Sequence, residues 1–356
     1  MVTERLTVAA QILSVATSTP PTSYSQEDVL DLFQVRDRRI RSLFRSSAIE
    51  RRHLTLPVVD ADGNLRMESQ GDLLRKHQTC AIEIGTRAIR SALEAAGHSV
   101  ADVRHLCCVT STGFLTPGLS AHLCGALDLN RDCVRLDIVG MGCNAGLNAL
   151  SAVASWAQSN PGELAVLLCV EVCSAAYVFD GTIQTAVVNS LFGDGAAAAV
   201  VKASDSSVPG VLALQKFSSC IVPEAADAMR FSWDESHSKF SFFLDRDVPY
   251  MVGAHAEKVI DQLLAGTGLR RNDIAHWIIH AGGKKVIDAV KVNLGLTDHD
   301  MRHTTGVLRD YGNLSSGSFL FSYERLAEEQ CVAPGDYGVM MTMGPGLTIE
   351  MALAKW

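Results

Sequence analysis

The chain has 356 residues, 47% of them apolar and 20% charged, with a formal net charge of -8. That length allows one large or two medium domains around a buried core, and the acidic balance argues against nucleic acid as a partner while leaving a local basic patch free to bind an anion. No run reaches the roughly 18 uncharged apolar residues that span a bilayer, and the charges at Glu4 and Arg5 with no long apolar block behind them argue against a secretory signal, so the expected location is the cytoplasm.

In chain order, residues 6–17 read as a strand. Tyr24 to Phe44 reads as a helix, with Ser25 a candidate cap before Glu27 and Asp28. Residues 45–75 are polar and irregular, a surface excursion. A long helix runs from Leu73 to Ala96 and stops at Gly97. Residues 104–110 form a buried strand, and Pro117 interrupts the stretch after it. Strand 134–139, helix 144–158 and strand 164–170 give a βαβ rhythm, and helix 184–191 leads through Gly193 and Gly195 into strand 196–201. The polar stretch 202–209 is the expected boundary between two units, 1–205 and 206–356. The second unit reads as strand 210–218, helix 252–265, strand 275–280, helix 284–293, a helix around 316–329, and strands 337–343 and 346–353. These strands are apolar enough to be covered on both faces, which makes the class α/β. Asp102 and His105 precede the apolar run 106–110 as Asp273 and His276 precede 277–279. This echo points to a duplicated core.

The run Leu136–Leu150 passes from an apolar strand through Gly140 and Gly142 to Cys143, then into an apolar-periodic helix. A helix start carries partial positive charge and free N–H groups, which favour thiolate over thiol. Gly140, Gly142 and Gly146 relieve crowding around one side chain, as a strained nucleophile turn requires. The plainer reading is a small buried cysteine. His280 ends a strand before Gly282 and Gly283, and Asn313 lies in a glycine-rich turn. Either alone reads as a structural residue. Together with Cys143, they suggest acyl transfer through a thioester. The other cysteines include Cys107, Cys108, Cys169 and Cys173 in apolar runs, the pattern of reduced buried thiols. No metal-ligand spacing is present, so no metal is expected.

The motifs Gly142–Gly146, Leu191–Ala196, His280–Gly283, Tyr311–Ser316 and Met343–Thr348 occur in an order that covers nearly the whole chain. On them the sequence resembles the type III polyketide synthases, the chalcone-synthase-like group of the thiolase superfamily. The runs 106–118, 226–229, 240–244 and 304–312 carry a narrower resemblance, to bacterial members that use malonyl-CoA as both starter and extender. The resemblance implies a thiolase-like duplicated core layered αβαβα. It implies Cys143 as nucleophile and acyl carrier, with His280 and Asn313 as decarboxylation and oxyanion residues. Phe192, Phe242, Thr116, Gly344, Pro345 and Gly346 would shape the substrate pocket, with Thr116 standing where plant members often carry Met that reaches the partner's cavity. It further implies malonyl-CoA as substrate, no cofactor, a homodimer, and enoyl-CoA-hydratase-like helper proteins.

The basic cluster Arg36, Arg38, Arg39, Arg41 and Arg45, with Arg51 and Arg52 behind it, suits CoA phosphates, though such clusters are as often solvated helix faces. By resemblance Arg39 lies nearest to a CoA contact and Arg45 is a second candidate, while Ser42 and Ser46 replace basic residues of plant members. Sister synthases making resorcinols, pyrones or tetrahydroxynaphthalene, a ketoacyl synthase III-type enzyme, and a non-catalytic binding protein are the alternatives.

Overall fold

The structure, a computed structural model, describes residues 8–58, 65–66, 68–204 and 210–356. The expected boundary at 205–206 and the start of the first expected strand lie outside these residues.

The N-terminal half contains β1 (Ala9–Ser18), β2 (Ser23–Ser25), α1 (Gln26–Leu32), α2 (Arg38–Arg45), β3 (Arg51–His53), α3 (Gln70–Ala95), β4 (Val103–Thr110), α4 (Leu119–Leu127), β5 (Val134–Val139), α5 (Ala145–Ser159), β6 (Leu164–Val172), α6 (Ile183–Leu191) and β7 (Asp194–Ser204). The C-terminal half contains β8 (Leu212–Ile221), β9 (Met229–Asp234), β10 (Lys239–Leu244), α7 (Val248–Leu264), β11 (Ile274–Ile279), α8 (Lys284–Leu294), α9 (Arg302–Tyr311), α10 (Ser318–Glu329), β12 (Tyr337–Gly344) and β13 (Thr348–Lys355).

Nine strands join in the order β11-β12-β13-β8-β1-β7-β6-β4-β5. Among the described residues, the two halves of this sheet meet where β1 pairs with β8, at Gln11 with Ala213 and Ile12 with Leu212. Successive residues of β4, β6 and β7 alternate between two cores. Leu106, Cys108, Val166, Leu168, Ala198 and Val200 pack with α3 and α4, whereas Cys107, Val109, Leu167, Cys169, Ala199 and Val201 join the core containing α5, α10 and α7. Helices α5 and α10 touch strands of both half-sheets, while α3 covers the first half and α7 covers β8 and β13. The layers are therefore αβαβα, with α5 and α10 in the middle.

Several boundaries differ from the sequence reading. The expected helix from Tyr24 to Phe44 is two helices. Ser25 does cap α1, its hydroxyl accepting from Asp28 N at 3.1 Å, but Gln34 adopts φ +50 and Asp37 starts α2 afresh by accepting from Arg39 N at 2.7 Å. A side chain capping a new helix competes with continuation of the old one. The polar excursion hides β3 and the start of α3, which Ser69 caps through a reciprocal pair with Asp72. Helices α4 and α9 and the β9–β10 hairpin had no counterpart in the sequence reading. Among the described residues, no helix is long and apolar enough to cross a membrane.

Candidate active site

Cys143 sits in a 3₁₀ turn, Gly142–Asn144, between β5 and α5. Gly142 has φ +77, and a Cβ there would lie 2.3 Å from Pro345 Cδ. Only glycine lets the loop at Pro345 close over the turn. Gly142 N donates to Ser111 Oγ at 2.9 Å, which ties the turn to the end of β4. Gly146 is required for a different reason: a Cβ there would meet Ser316 O at 2.2 Å, so α5 packs directly on the turn before α10. The thiol is buried and donates to Ser315 Oγ at 3.5 Å. Burial pushes its pKa up to about 12, against the pull of that hydrogen bond.

His280 follows β11, and its N–H donates to Met341 O at 2.8 Å. Its ring is buried, Nδ1 has no hydrogen-bond partner, and burial pushes its pKa down to about 3. Asn313 follows Gly312, whose φ of +73 turns the chain out of α9. Its Oδ1 accepts from Ser315 N at 2.8 Å and its Nδ2 donates to Gly282 O at 3.3 Å. The first bond fixes which end of the amide faces the His280–Gly283 loop: the donor end. Contacts therefore run from Cys143 to Ser315, from Ser315 to Asn313, and from Asn313 to Gly282 beside His280. The three residues singled out in the sequence lie on one connected set of turns.

A buried carboxylate belongs to the same set, and sequence reasoning missed it. Glu171, at the end of β6, is fully buried. It accepts from Ser316 Oγ at 2.6 Å, Ser111 N at 2.9 Å, Thr112 Oγ1 at 3.0 Å and Ser315 Oγ at 3.2 Å. Burial raises its pKa and these donors oppose the rise. Ser315 thus links the thiol to a carboxylate through one hydroxyl. The available signal was a single charged residue inside the apolar run 164–173, which must find donors if buried.

A cavity of ≈ 340 Å³ opens beside the thiol. It is lined by Cys143, Phe192, Phe242, Pro345 and Gly346 from the expected set, and also by Ser111, Thr112, Cys173, Tyr177, Met229 and Phe231. Phe192 and Phe242 meet edge to face at 5.8 Å, and Phe231 adds a third ring 5.0 Å from Phe242. Phe231 escaped notice because the β9–β10 hairpin did. Gly344 lies behind the site, where a Cβ would meet Asn144 Oδ1 at 2.3 Å. Thr116 is exposed and does not line the cavity of its own chain. Among the described residues, no group of three or more His, Cys, Asp or Glu is placed to hold a metal ion.

The basic segment divides into different environments. Arg39 is exposed and paired with Asp37 at 2.9 Å. Arg45 pairs with Glu27 at 2.6 Å, and Arg41 pairs with Glu27 and Asp31. Arg36 and Arg38 are exposed. Arg52 is fully buried, so it cannot reach a phosphate at the surface.

Residues 3–205 match the family model for the N-terminal domain of chalcone and stilbene synthases, and residues 213–355 match the model for its C-terminal domain. The chain is 63% identical over 353 residues to a 3,5-dihydroxyphenylacetyl-CoA synthase of Streptomyces toyocaensis, covering 97% of this chain and 90% of the relative. It is 62% identical over 351 residues to the enzyme of the same name from Amycolatopsis balhimycina, covering 99% and 94%. The solved structure of 1,3,6,8-tetrahydroxynaphthalene synthase from Streptomyces coelicolor A3(2), a bacterial type III polyketide synthase, superposes with a TM-score of 0.88 at 27% identity, covering 97% of this chain and 99% of the other.

Proposed function

The chain belongs to the chalcone and stilbene synthase family, and on that premise we propose that it is a type III polyketide synthase that makes 3,5-dihydroxyphenylacetyl-CoA from malonyl-CoA. The 63% identity to a synthase of that name over nearly the whole chain carries the reading, and the contacts joining Cys143, Ser315 and Asn313 support its chemistry.

Four malonyl units lose their carboxyl groups as carbon dioxide and leave an eight-carbon chain. Each loss produces an enolate whose oxygen needs donors placed in advance. Asn313 Nδ2 and His280 Nε2 supply them. An amide does not titrate, so Asn313 adds no like charge. Cys143 holds the chain as a thioester. Each enolate attacks that thioester carbonyl, releases the Cys143 sulfur and leaves the lengthened chain on CoA, from which Cys143 takes it up again with release of CoA. Burial favours the neutral thiol and the neutral imidazole alike, so in this reading His280 takes the Cys143 proton only as the sulfur attacks the incoming thioester. Phe192, Phe242 and Phe231 form an aromatic wall that excludes water, which would hydrolyse the acyl enzyme. Within the cavity, the chain's terminal carbon attacks an internal ketone, and loss of water makes the ring aromatic. The thioester end takes no part in closure, so the product can leave as a CoA ester. No metal or organic cofactor enters this chemistry.

The exposed cations of the segment Arg36–Arg45, among them Arg39 and Arg45, supply positive charge for the CoA phosphates. The protein acts as a homodimer in the cytoplasm. Support for the dimer comes from β5, an outer strand of the sheet that leaves Val134, Leu136 and Val139 between 37% and 50% exposed. Enoyl-CoA-hydratase-like helper proteins would speed turnover or bias cyclisation. The test is incubation of purified protein with malonyl-CoA as the only acyl donor, followed by mass spectrometry of the unhydrolysed mixture. A 3,5-dihydroxyphenylacetyl thioester or its free acid is expected. A pyrone alone, even with the helpers present, or a need for another starter, would assign the protein to a sister synthase.

A further inference from the structure

Arg52 is a buried cation bonded to two residues that line the cavity, Tyr177 and Phe192, and no carboxylate oxygen bonds to it among the described residues. Its Nη1 donates to Asn189 O at 2.6 Å, Phe192 O at 2.8 Å and Tyr177 Oη at 2.8 Å, and its Nη2 donates to Gln26 Oε1 at 2.7 Å. Gln26 in turn donates to Ser190 O at 2.7 Å. Asn189, Ser190 and Phe192 are the end of α6, where backbone carbonyls lack helical partners. A guanidinium there satisfies several at once and opposes the negative end of the helix dipole. Asp194 lies within electrostatic range of Arg52, but its oxygens accept from Ser174 N, Ser174 Oγ and Thr55 N.

The same side chain touches the other half of the site. A Cβ at Gly312 would lie 2.8 Å from Arg52 Cδ and 2.7 Å from Leu191 O, so the Arg52 stem fills the space behind the turn that presents Asn313. Around Phe192, Asn313 N donates to Leu191 O at 2.9 Å and Gly193 N donates to Asn313 O at 3.0 Å. Asn313 is thus bridged to the backbone on either side of Phe192, with Arg52 packed behind both.

We infer that Arg52 is a positioning residue for the reaction: its guanidinium fixes the Phe192 carbonyl while its stem backs Gly312, so that Phe192 and Asn313 keep their places against the bound thioester. The inference rests on the synthase reading for its substrate, but its geometry is independent of the product. Lysine keeps the charge but has one nitrogen where this site needs two arms of a planar fork.

The experiment compares wild type, Arg52→Lys and Gln26→Met with malonyl-CoA, following carbon dioxide release and aromatic product separately, with circular dichroism as the check on folding. Misplacement of a reacting group by about 1 Å can cost about 10²-fold in rate. Folded Arg52→Lys should therefore lose at least about tenfold in kcat for both readouts, with KM for malonyl-CoA within about twofold of wild type. Gln26→Met, which removes one acceptor from Arg52 together with the donor to Ser190 O and Ser47 Oγ but leaves Arg52 in place, should change kcat in the same direction by less. A salt-dependent rise in KM with kcat retained would make Arg52 a phosphate ligand and overturn the inference. Wild-type kinetics in the folded Arg52→Lys protein would reduce it to a packing role. If Arg52→Lys does not fold, unchanged kcat in Gln26→Met overturns the inference. Wild type that releases carbon dioxide but forms no 3,5-dihydroxyphenylacetyl product would refute the synthase reading and leave the Arg52 comparison intact.

Discussion

The two halves of the molecule repeat one scaffold and load it differently. In the first, β4 runs parallel to β6, β6 antiparallel to β7, and β7 antiparallel to β1. In the second, β11 runs parallel to β12, β12 antiparallel to β13, and β13 antiparallel to β8. Corresponding turns meet at the centre. The end of β4 carries Ser111 and Thr112, and the end of β11 carries His280. The turn before α5 carries Cys143, and the turn before α10 carries Asn313 and Ser315. In the proposed chemistry one half supplies the nucleophile and the other the donors, so neither half alone would hold a complete site. The first half also adds β5 next to β4, whereas nothing is paired beyond β11 among the described residues. Duplication thus gives two similar cradles around the central helices, and the turns differ in the single residues they carry.

The largest expected effect comes from emptying the first cradle. Cys143→Ala should abolish condensation while part of the malonyl-CoA decarboxylation persists, because His280 and Asn313 still receive the enolate oxygen. Intact-protein mass spectrometry should find acyl adducts on wild type only. A lasting adduct on the variant would move the acyl carrier elsewhere and break the division of labour between the halves.

Weakening the second cradle should cost less and affect both steps. Loss of one oxyanion donor typically lowers rate by about 10²–10³, so Asn313→Ala should lose carbon dioxide release on that scale while remaining folded. Asn313→Asp keeps the acceptor for Ser315 N but turns a carboxylate oxygen towards Gly282 O, where the amide now donates at 3.3 Å. It should be no better than alanine despite its shape. If both variants decarboxylate normally, the oxyanion site lies outside the second half.

The duplication was legible in sequence because its carriers are local. Asp102 and Asp273 each cap a short turn, by bonding Ser99 N and Arg270 N at 2.7 Å, just before β4 and β11. The turn around Cys143 was legible because turns that crowd a side chain need glycines at fixed places, as at Gly142 and Gly146. What stayed hidden depends on distant partners. Glu171 is explained by donors brought from residues 111, 112, 315 and 316. Arg52 looked like one more surface cation beside Arg51, until folding buried it among carbonyls of α6. The β9–β10 hairpin pairs Phe242 with Phe231, and its mixed polar and aromatic residues alternate over too short a run to read.

The smallest effect concerns α3, the helix covering the first half-sheet, and it separates the halves by acid sensitivity. His77 on α3 is fully buried, its Nδ1 facing Thr112 Oγ1 at 3.3 Å and its Nε2 without a hydrogen-bond partner. A Cβ on Gly113 would lie 2.1 Å from the ring, so the imidazole lies directly against bare backbone. Protonation would put an unpaired N–H and a charge in that space, and burial holds the pKa down at about 4. In the unfolded chain the same group titrates near 6.5. Below that pH the unfolded state binds a proton that the native state refuses, so stability falls as pH falls from about 6.5 towards 4. From pH 7.5 to 5.5 this amounts to about 1 kcal/mol. Buried carboxylates whose pKa values are raised, such as Glu171 and Glu350, act in the opposite direction, so the comparison needs a variant rather than a single curve. His77→Gln keeps a donor for Thr112 and cannot titrate. Urea unfolding at the two pH values should show wild type losing about 1 kcal/mol more than His77→Gln. Equal losses in the two proteins would mean that His77 takes up its proton without opening the first half, and that the acid response of the fold arises elsewhere.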